Sequence, residues 1–580
     1  MRGPHEPLAT TRRFHIQSHH GSPGRQKSSC ACPPHRDDAH LSREPIPAIS
    51  HIFPPEEHRL GERAPARGST FPMISRIAAL LDRRPWLLLS IVVAGAHLLG
   101  FWSCGATFWV DSTVYAGLGD CLFSPEKMRV FYDATGRFVF SHLAPGEPAV
   151  WACARLLPVG ARWPAMAIAQ HAFAAGAAIF AFGSLQRWLP GVWNLACAAL
   201  LSFLPFYQSL HNALLTESIS SSLFLIGLTL LLRMAHERGP AGRDWVAFLA
   251  VMFAGTQFRG YIGVLLAASA AVVLLWRMER FRWMPWLAVV AVCAASMAVF
   301  PIYRWALTGR LFGPGLRTNR LVVAAWTNPN PSPALLEALP ALGWSGDPAA
   351  IFSRDFTYWK ARDAGVAWEA EGLSSSEIDR RVAAMSRAIE FEWPSSILMH
   401  ARSGLAASGM VTLAFAGAGG EPAYGRFTLA GQRVHQRWWY SWLSWIEHDS
   451  YRSFGEKFFT APSTMFAGAD QAQRDFWSAC EPHLGEKHRQ MRDPLLLGRL
   501  PLDFWALLGW TAIAVCLWRR PVLGLILAAP IAGNFVVMTA TPIGNARYAY
   551  PILACYFVAM SVAGGLLFRQ PKPSANTISD

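Results

Sequence analysis

Blocks of about 15–22 apolar residues with hardly any charge recur along this chain, and they limit its fold more than any other feature. A helix rises 1.5 Å per residue, so about 20 such residues cross the ~30 Å hydrocarbon layer of a bilayer. Of the 580 residues, 52% are hydrophobic and 16% charged, where a soluble protein carries roughly 25% charge. The expected fold class is an all-α polytopic membrane protein. The runs read as spans are 86–103, 164–184, 189–207, 213–232, 245–258, 261–276, 285–302, 501–518, 521–540 and 548–568, which makes about ten transmembrane helices.

The short loops between these runs alternate in character. Arg83 and Arg84, Arg187, Arg233 with Arg238 and Arg243, Arg277 with Arg280 and Arg282, Arg519 and Arg520, and Arg569 with Lys572 all fall on one side. The positive-inside rule makes that side cytoplasmic and puts both termini there. The net charge of +14 is thus accounted for by topology. No recognition helix, zinc-finger spacing or RNP-like stretch accompanies it, so nucleic acid is not an expected partner. Outside lie a first loop at 104–163, tight turns near 208–212 and 541–547, and a large insertion.

The expected organisation has five parts. Residues 1–72, rich in His, Pro, Arg and Ser, read as a disordered tail or a misassigned start, since they lack the apolar surface to offset their ordering entropy. Residues 73–303 form a membrane module, 304–500 a mostly helical extracytoplasmic insertion between the seventh and eighth helices, 501–568 the C-terminal transmembrane helices and 569–580 a cytoplasmic tail. In the insertion, Ser374-x-x-Glu377 reads as a capping box. It leads into Ile378, Val382, Met385 and Ile389, spaced for one helix face that Pro394 ends or redirects. Residues 398–417 carry His400 and Arg402 and read as an amphipathic or re-entrant helix rather than a span. Trp438, Trp442 and Trp445 form a helical stripe, either a sugar-stacking platform or an interfacial anchor.

The ten cysteines do not form a metal framework. Cys197, Cys293, Cys516 and Cys555 lie inside apolar runs and read as small core residues. Cys104, Cys121, Cys153 and Cys480 fall on or near the outer side, where disulfides can form in pairs that spacing does not assign. Cys480-x-x-His483-x4-His488 lacks a fourth ligand for zinc and reads as a surface loop.

Polar residues at the outer ends of the spans are the candidates for chemistry. Asp111 follows the first span by about one turn, with Tyr115 after it. A carboxylate there can take a proton from an acceptor hydroxyl or help bind a divalent cation; the competing reading is an ordinary solvated loop acid. Asp120 is a second acid, with Gly117 and Gly119 allowing a sharp turn between them. Arg137, His142 and Pro145, in the stretch 131–148, are read as folding back over the site. Glu217 sits about one turn inside the fourth span, where an ionisable group is costly unless paired or facing a wet cavity. The arms 245–258 and 261–276 are short for spans, so the hairpin tip, and Arg259 with it, is expected below the outer surface. Arg547, beside Tyr548, opens the last span. A guanidinium offers a planar fork of donors suited to phosphate oxygens, although arginines at helix ends also snorkel to the interface.

There is no Walker loop, no GxGxxG after a strand and no Asp-x-Asp. Four stretches, Asp111-x-x-x-Tyr115, Leu214-Leu-Thr-Glu217-Ser, Arg259-Gly-Tyr and Asn545-Ala-Arg547-Tyr548-Ala-Tyr-Pro551, resemble the GT-C class of membrane glycosyltransferases. That class includes protein O-mannosyltransferases and the aminoarabinose transferase of lipid A. The likeness covers about 73–303 and 501–568. Many members carry adjacent acids, Asp-Glu, in the first loop, whereas Ser112 follows Asp111 here. The 303–500 insertion lies outside the likeness.

The resemblance implies an inverting transferase that uses a polyprenyl-phosphate-linked sugar and works on the outer face of the membrane, and the short loops and high Ala, Arg and Trp content suit a bacterial inner membrane. Asp111 is then the catalytic residue, and Tyr115, Asp120, Glu217, Arg259, Arg547 and Tyr548 bind substrate. No cofactor is implied beyond the divalent cation that an acidic loop can hold. The acceptor is a lipid, glycan or protein of the cell envelope, and membrane lipids surround the site. The alternatives are a transporter or flippase of a lipid-linked or anionic solute, and a non-catalytic scaffold of the same architecture.

Overall fold

A computed structural model describes residues 85–127, 144–308, 320–410 and 495–568, apart from short stretches inside these limits, the longest being 277–282. The described residues belong to one compact unit, Ser69–Asp580. They are helical, with no strand among them. The first group comprises α1 (Pro85–Cys104), α2 (Val110–Cys121), α3 (Gly146–Ala154), α4 (Val159–Leu185), α5 (Gly191–Phe203) and α6 (Pro205–Asn212). Next come α7 (Thr216–His236), α8 (Gly242–Phe258), α9 (Gly260–Trp276) and α10 (Trp283–Thr308). The insertion contributes α11 (Pro333–Ala341), α12 (Pro348–Ile351), α13 (Tyr358–Ala370), α14 (Ser375–Glu392) and α15 (Ser395–Ala407). The chain then forms α16 (Leu502–Arg519), α17 (Pro521–Ala540), a 3-10 turn (Ala546–Ala549) and α18 (Tyr550–Phe568).

Among the described residues, six segments are long and apolar enough to cross a membrane: Ala161–Leu185, Thr216–His236, Trp283–Tyr303, Leu502–Arg519, Pro521–Ala540 and Tyr550–Phe568. Apolar stretches of α1, α5 and α9 are shorter. The bundle's outer surface carries bare apolar side chains, such as Ile91 (59% exposed), Leu98 (67%), Val290 (61%) and Val536 (63%). In water such a surface drives association, whereas lipid tails cover it without cost. The chain is an all-α polytopic membrane protein. At its centre α7 and α18 are buried on nearly every side; α18 is apolar almost all round, as such a helix must be, whereas α7 opens on a buried polar stretch from Thr216 to Ser222.

Three sequence expectations fail here, each for a local reason. The run 189–207 is not one continuous helix. Pro205 has no N–H to give and crowds the residue before it, so Leu204 turns extended (φ −66°, ψ 116°) and α6 starts afresh at Pro205. Residues 208–212 are therefore not an outer turn but the end of α6, all eight of whose residues are buried. Gly117 and Gly119 make no turn either, because both lie inside α2, which carries Asp111 in its first turn rather than in a loop.

The insertion builds its own apolar cluster around the buried Trp368, with Leu321, Val322, Leu339, Phe356 and the expected face of α14, Ile378, Val382, Met385 and Ile389. The capping box is present: Glu377 N donates to Ser374 Oγ (3.3 Å) and Ser374 N to Glu377 Oε2 (2.8 Å). Trp393 leaves the helical region just ahead of Pro394, and α15 follows. Arg320 grips Glu390 with two bonds, Nε to Oε1 at 2.7 Å and Nη2 to Oε2 at 2.5 Å. α15, only 13 residues long, packs along α17 rather than spanning. The tail 1–72, Arg137 and His142, the Trp438–Trp445 stripe and the Cys480–His488 spacing lie outside the described residues.

Trp368→Ala removes the centre of the insertion's cluster and is expected to cost about 3–5 kcal/mol there. Limited proteolysis should then cut residues 320–392 faster, while detergent extraction of the membrane helices stays unchanged.

Candidate functional site

The site forms where α7 begins and the α8–α9 hairpin turns. α8 ends at Phe258 and α9 starts at Gly260, so Arg259 alone makes the bend, its amide still bonded to Gly255 O (2.9 Å). Its side chain is only 14% exposed and is ion-paired to Glu217, itself buried in the first turn of α7. Arg259 Nη2 donates to Glu217 Oε1, Arg259 Nε to Thr216 Oγ1 (2.6 Å), and Thr216 Oγ1 to Glu217 Oε2 (3.1 Å). The three groups close a ring, which is what a charge pair away from water requires to offset its desolvation.

Three phenols surround the guanidinium. Tyr548 lies under it, with the ring centre 5.2 Å from Arg259 Cζ. Tyr261 meets Tyr548 edge to face at 5.9 Å, and Tyr115 bears on the same charge. Asn534 fixes Tyr548 by donating from Nδ2 to Tyr548 O (3.2 Å) and to Ala407 O (2.8 Å). Arg547 stands next to Tyr548 in the same 3-10 turn.

α2 is moored at both ends. Ser112 Oγ donates to Leu214 O (2.9 Å), two residues before Thr216, and Tyr303 donates its hydroxyl to Leu122 O. The first anchor brings Asp111, one residue before Ser112, to the start of α7. Ser112, directly after Asp111, thus acts as a tether.

Asp120 is different. It pairs with Arg155 (Nε to Oδ1 3.3 Å), which also donates to Asp120 O (2.7 Å), and this pair binds α2 to the end of α3. Of the sequence candidates, Tyr115, Glu217, Arg259 and Tyr548 therefore come together directly. Asp111 and Arg547 are carried to the same place by their backbones, and Asp120 serves a helix joint.

Sequence reasoning missed Glu147. It occupies the first turn of α3, is wholly buried, and among the described residues neither carboxyl oxygen has a hydrogen-bond partner. Two close approaches hold it there. A Cβ on Gly119 would lie 2.5 Å from Trp151 Cβ and 2.7 Å from Pro148 O, so α2 and α3 touch backbone to backbone. A Cβ on Gly146 would lie 2.7 Å from Gln257 O, so the start of α3 rests on the hairpin tip. Burial pushes the Glu147 carboxyl up to about 8; the Glu217 charge raises it too, and Arg259 offsets only part of the effect. The only sequence signal is an acid among turn formers, Pro145-Gly-Glu-Pro148, which is too common to single out.

A second buried polar cluster joins α1, α4 and α6. Asn212 Nδ2 donates to Gly100 O and Gln208 O (both 3.3 Å), so its Oδ1 accepts from His171 Nε2 (3.0 Å). With neutral rings, His171 Nδ1 then accepts from His97 Nδ1 (3.2 Å). His211 joins Ser218 (2.8 Å). Among the described residues no group of three or more His, Cys, Asp or Glu is arranged to hold a metal ion.

Comparison of the sequence with models of known protein families finds no match, and comparison with curated proteins finds no significant similarity. The site's geometry thus carries the functional reading.

Arg259→Ala strands Glu217 in the interior and is expected to cost about 3–5 kcal/mol. Adding Glu217→Gln should recover part of that loss in thermal midpoint in detergent. Glu147 has a folded pKa near 8 against an ordinary 4.5. The stability tied to its protonated form is complete below pH 4.5 and is lost as pH rises to 8, by up to about 1.4 kcal/mol per unit. The midpoint advantage of Glu147→Gln over wild type should therefore widen between pH 5 and pH 8.

Proposed function

We propose that the protein is an inverting membrane glycosyltransferase, moving a sugar from a polyprenyl-phosphate donor to a lipid, glycan or protein acceptor on the outer face of a bacterial inner membrane. In this reading ten helices span the bilayer, with both termini cytoplasmic. One observation carries the proposal. At one end of the membrane helices Arg259 is held by Glu217 and Thr216 with Tyr548 beneath it, next to the anchored start of the helix that bears Asp111.

A guanidinium fixed in a water-poor site stabilises charge developing on a departing phosphate without reorganising at that moment. Glu217 and Thr216 orient it. Asp111 accepts the proton of the acceptor hydroxyl as its oxygen bonds to the anomeric carbon and the carbon–phosphate oxygen bond breaks. Arg547 and Tyr548 complete the phosphate end of the site, and Tyr115 borders the sugar. A divalent cation at Asp111 is an alternative way of activating the acceptor.

A carrier of a lipid-linked or anionic solute draws on a different observation, the buried His97–His171–Asn212 chain within the membrane bundle. Ionisable groups at such depth often line transport paths.

Purified protein in detergent, given radiolabelled polyprenyl-phosphate sugars and envelope extract with and without a chelator, separates these readings. Wild type should move label off the carrier, and Asp111→Asn should lose at least about 100-fold in rate, as expected for a general base. Full turnover in Asp111→Asn removes that residue from the mechanism, and label that never leaves its carrier favours transport.

A further inference from the structure

Two carboxyl groups, Glu147 and Glu217, share the neighbourhood of one described guanidinium, that of Arg259. Glu217 has taken it, with Thr216 as a second partner. Among the described residues Glu147 is left wholly buried with both oxygens unbonded, although its neighbour Gly146 packs against the hairpin tip that Arg259 forms. Burying a carboxylate with no partner is costly enough that such a group takes up a proton instead. A neutral carboxyl differs in kind from its anion, because it has an O–H to donate.

We propose that Glu147 is a further binding residue of this site, a neutral carboxylic acid that donates a hydrogen bond to a phosphate oxygen of the ligand held at Arg259. The proposal rests on the reading that an anionic phosphate binds there. The chemistry favours it. As the glycosidic bond breaks, its electron pair stays on the phosphate oxygen and a phosphodiester monoanion becomes a dianion. Arg259 and Glu217 together are neutral, so the Arg259 charge alone leaves much of that new charge unmet. An O–H directed at it strengthens as the charge grows, and an ionised carboxylate would repel it. The anion in turn favours the protonated acid, so ligand and proton support each other.

On the elements packed against α3, Asp111 of α2 is the base of the proposed reaction and Cys121 donates its thiol to Gly117 O (3.2 Å), while other titratable groups have charged or polar partners of their own. Asp120 on α2 pairs with Arg155; on α4, Arg162 donates to Leu157 O and Arg155 O, and His171 bonds Asn212. Asp244 on α8 pairs with Arg233. Tyr115 on α2 bears on the Arg259 charge.

The test is binding of a polyprenyl methyl phosphate, a phosphodiester with no ionisation in the range, to the full-length protein in detergent from pH 6.5 to 9. Wild-type affinity should hold to about pH 7.5 and fall about tenfold per unit beyond 8. Glu147→Gln, which keeps a donor but cannot ionise, should bind within about threefold of wild type at pH 7 and lose the alkaline fall. Inorganic phosphate as competitor distinguishes a site for the headgroup alone from one that needs the lipid. Wild-type affinity flat to pH 9 overturns the proposal, and that measurement needs no variant. So does a folded Glu147→Gln that has lost binding at pH 7, which would mean the carboxylate itself is required. Binding that follows the expected profile without any sugar transfer would sink the transferase reading and leave Glu147 in its role; transfer with a flat profile would do the reverse.

Discussion

One buried cation organises one end of this bundle. A guanidinium cannot enter a helical membrane core without a partner, because lipid offers its donors nothing. Arg259 obtains Glu217 and Thr216 only because α7 starts at the level where the α8–α9 hairpin turns. That requirement fixes the register of three helices at once. The other elements of the site are placed relative to it: α2 through Ser112 to Leu214, α3 through Gly146 against Gln257, and the turn before α18 through Tyr548 beneath the guanidinium.

The arrangement is charged but not optimised for stability. A designer would remove Glu147 or give it a partner, since an unbonded buried carboxyl lowers stability at neutral pH. Asp120 provides the contrast within the same helix pair, because Arg155 meets both its side chain and its carbonyl. The molecule therefore satisfies an acid where α2 and α3 merely need joining, and leaves one unsatisfied where three helix ends meet around Arg259. Local violations of polar satisfaction concentrate where ligands are expected to complete them.

The sequence is most legible where a residue contradicts its surroundings. Glu217 and Arg259 stand out because a charge in an apolar run must have a reason, and the short arms around Arg259 already imply a sunken tip. The capping box at Ser374 and the Ile378–Ile389 face were readable because both depend on local spacing alone. What was hidden depends on tertiary contact. Pro205 inside an apolar run divides α5 from α6, but hydrophobic content alone does not register the break. Gly117 and Gly119 look like turn residues, yet Gly119 serves close helix packing, a use that spacing cannot distinguish from a bend. Asp120 and Glu147 are both acids in the stretch between the first two long apolar runs, and only the position of Arg155 decides which is paired.

The insertion is tied to the site through one asparagine. Buried Asn534, on α17, donates from a single amide nitrogen to Ala407 O at the end of α15 and to Tyr548 O under the guanidinium. His400 on α15 reaches Thr539 O (3.1 Å) on one side and Glu390 (3.4 Å) on the other, and Glu390 is the residue that Arg320 grips. A continuous polar path thus runs from the insertion's own core, through α15, to the aromatic floor beneath Arg259. The two Asn534 bonds are buried and those of His400 and Glu390 partly so, and shifting α15 along α17 would leave Asn534 and His400 without these partners, at about 1–3 kcal/mol each. The insertion is therefore held in fixed register with Tyr548, and whatever seats on it does so at a set distance from the cation on which the site is built.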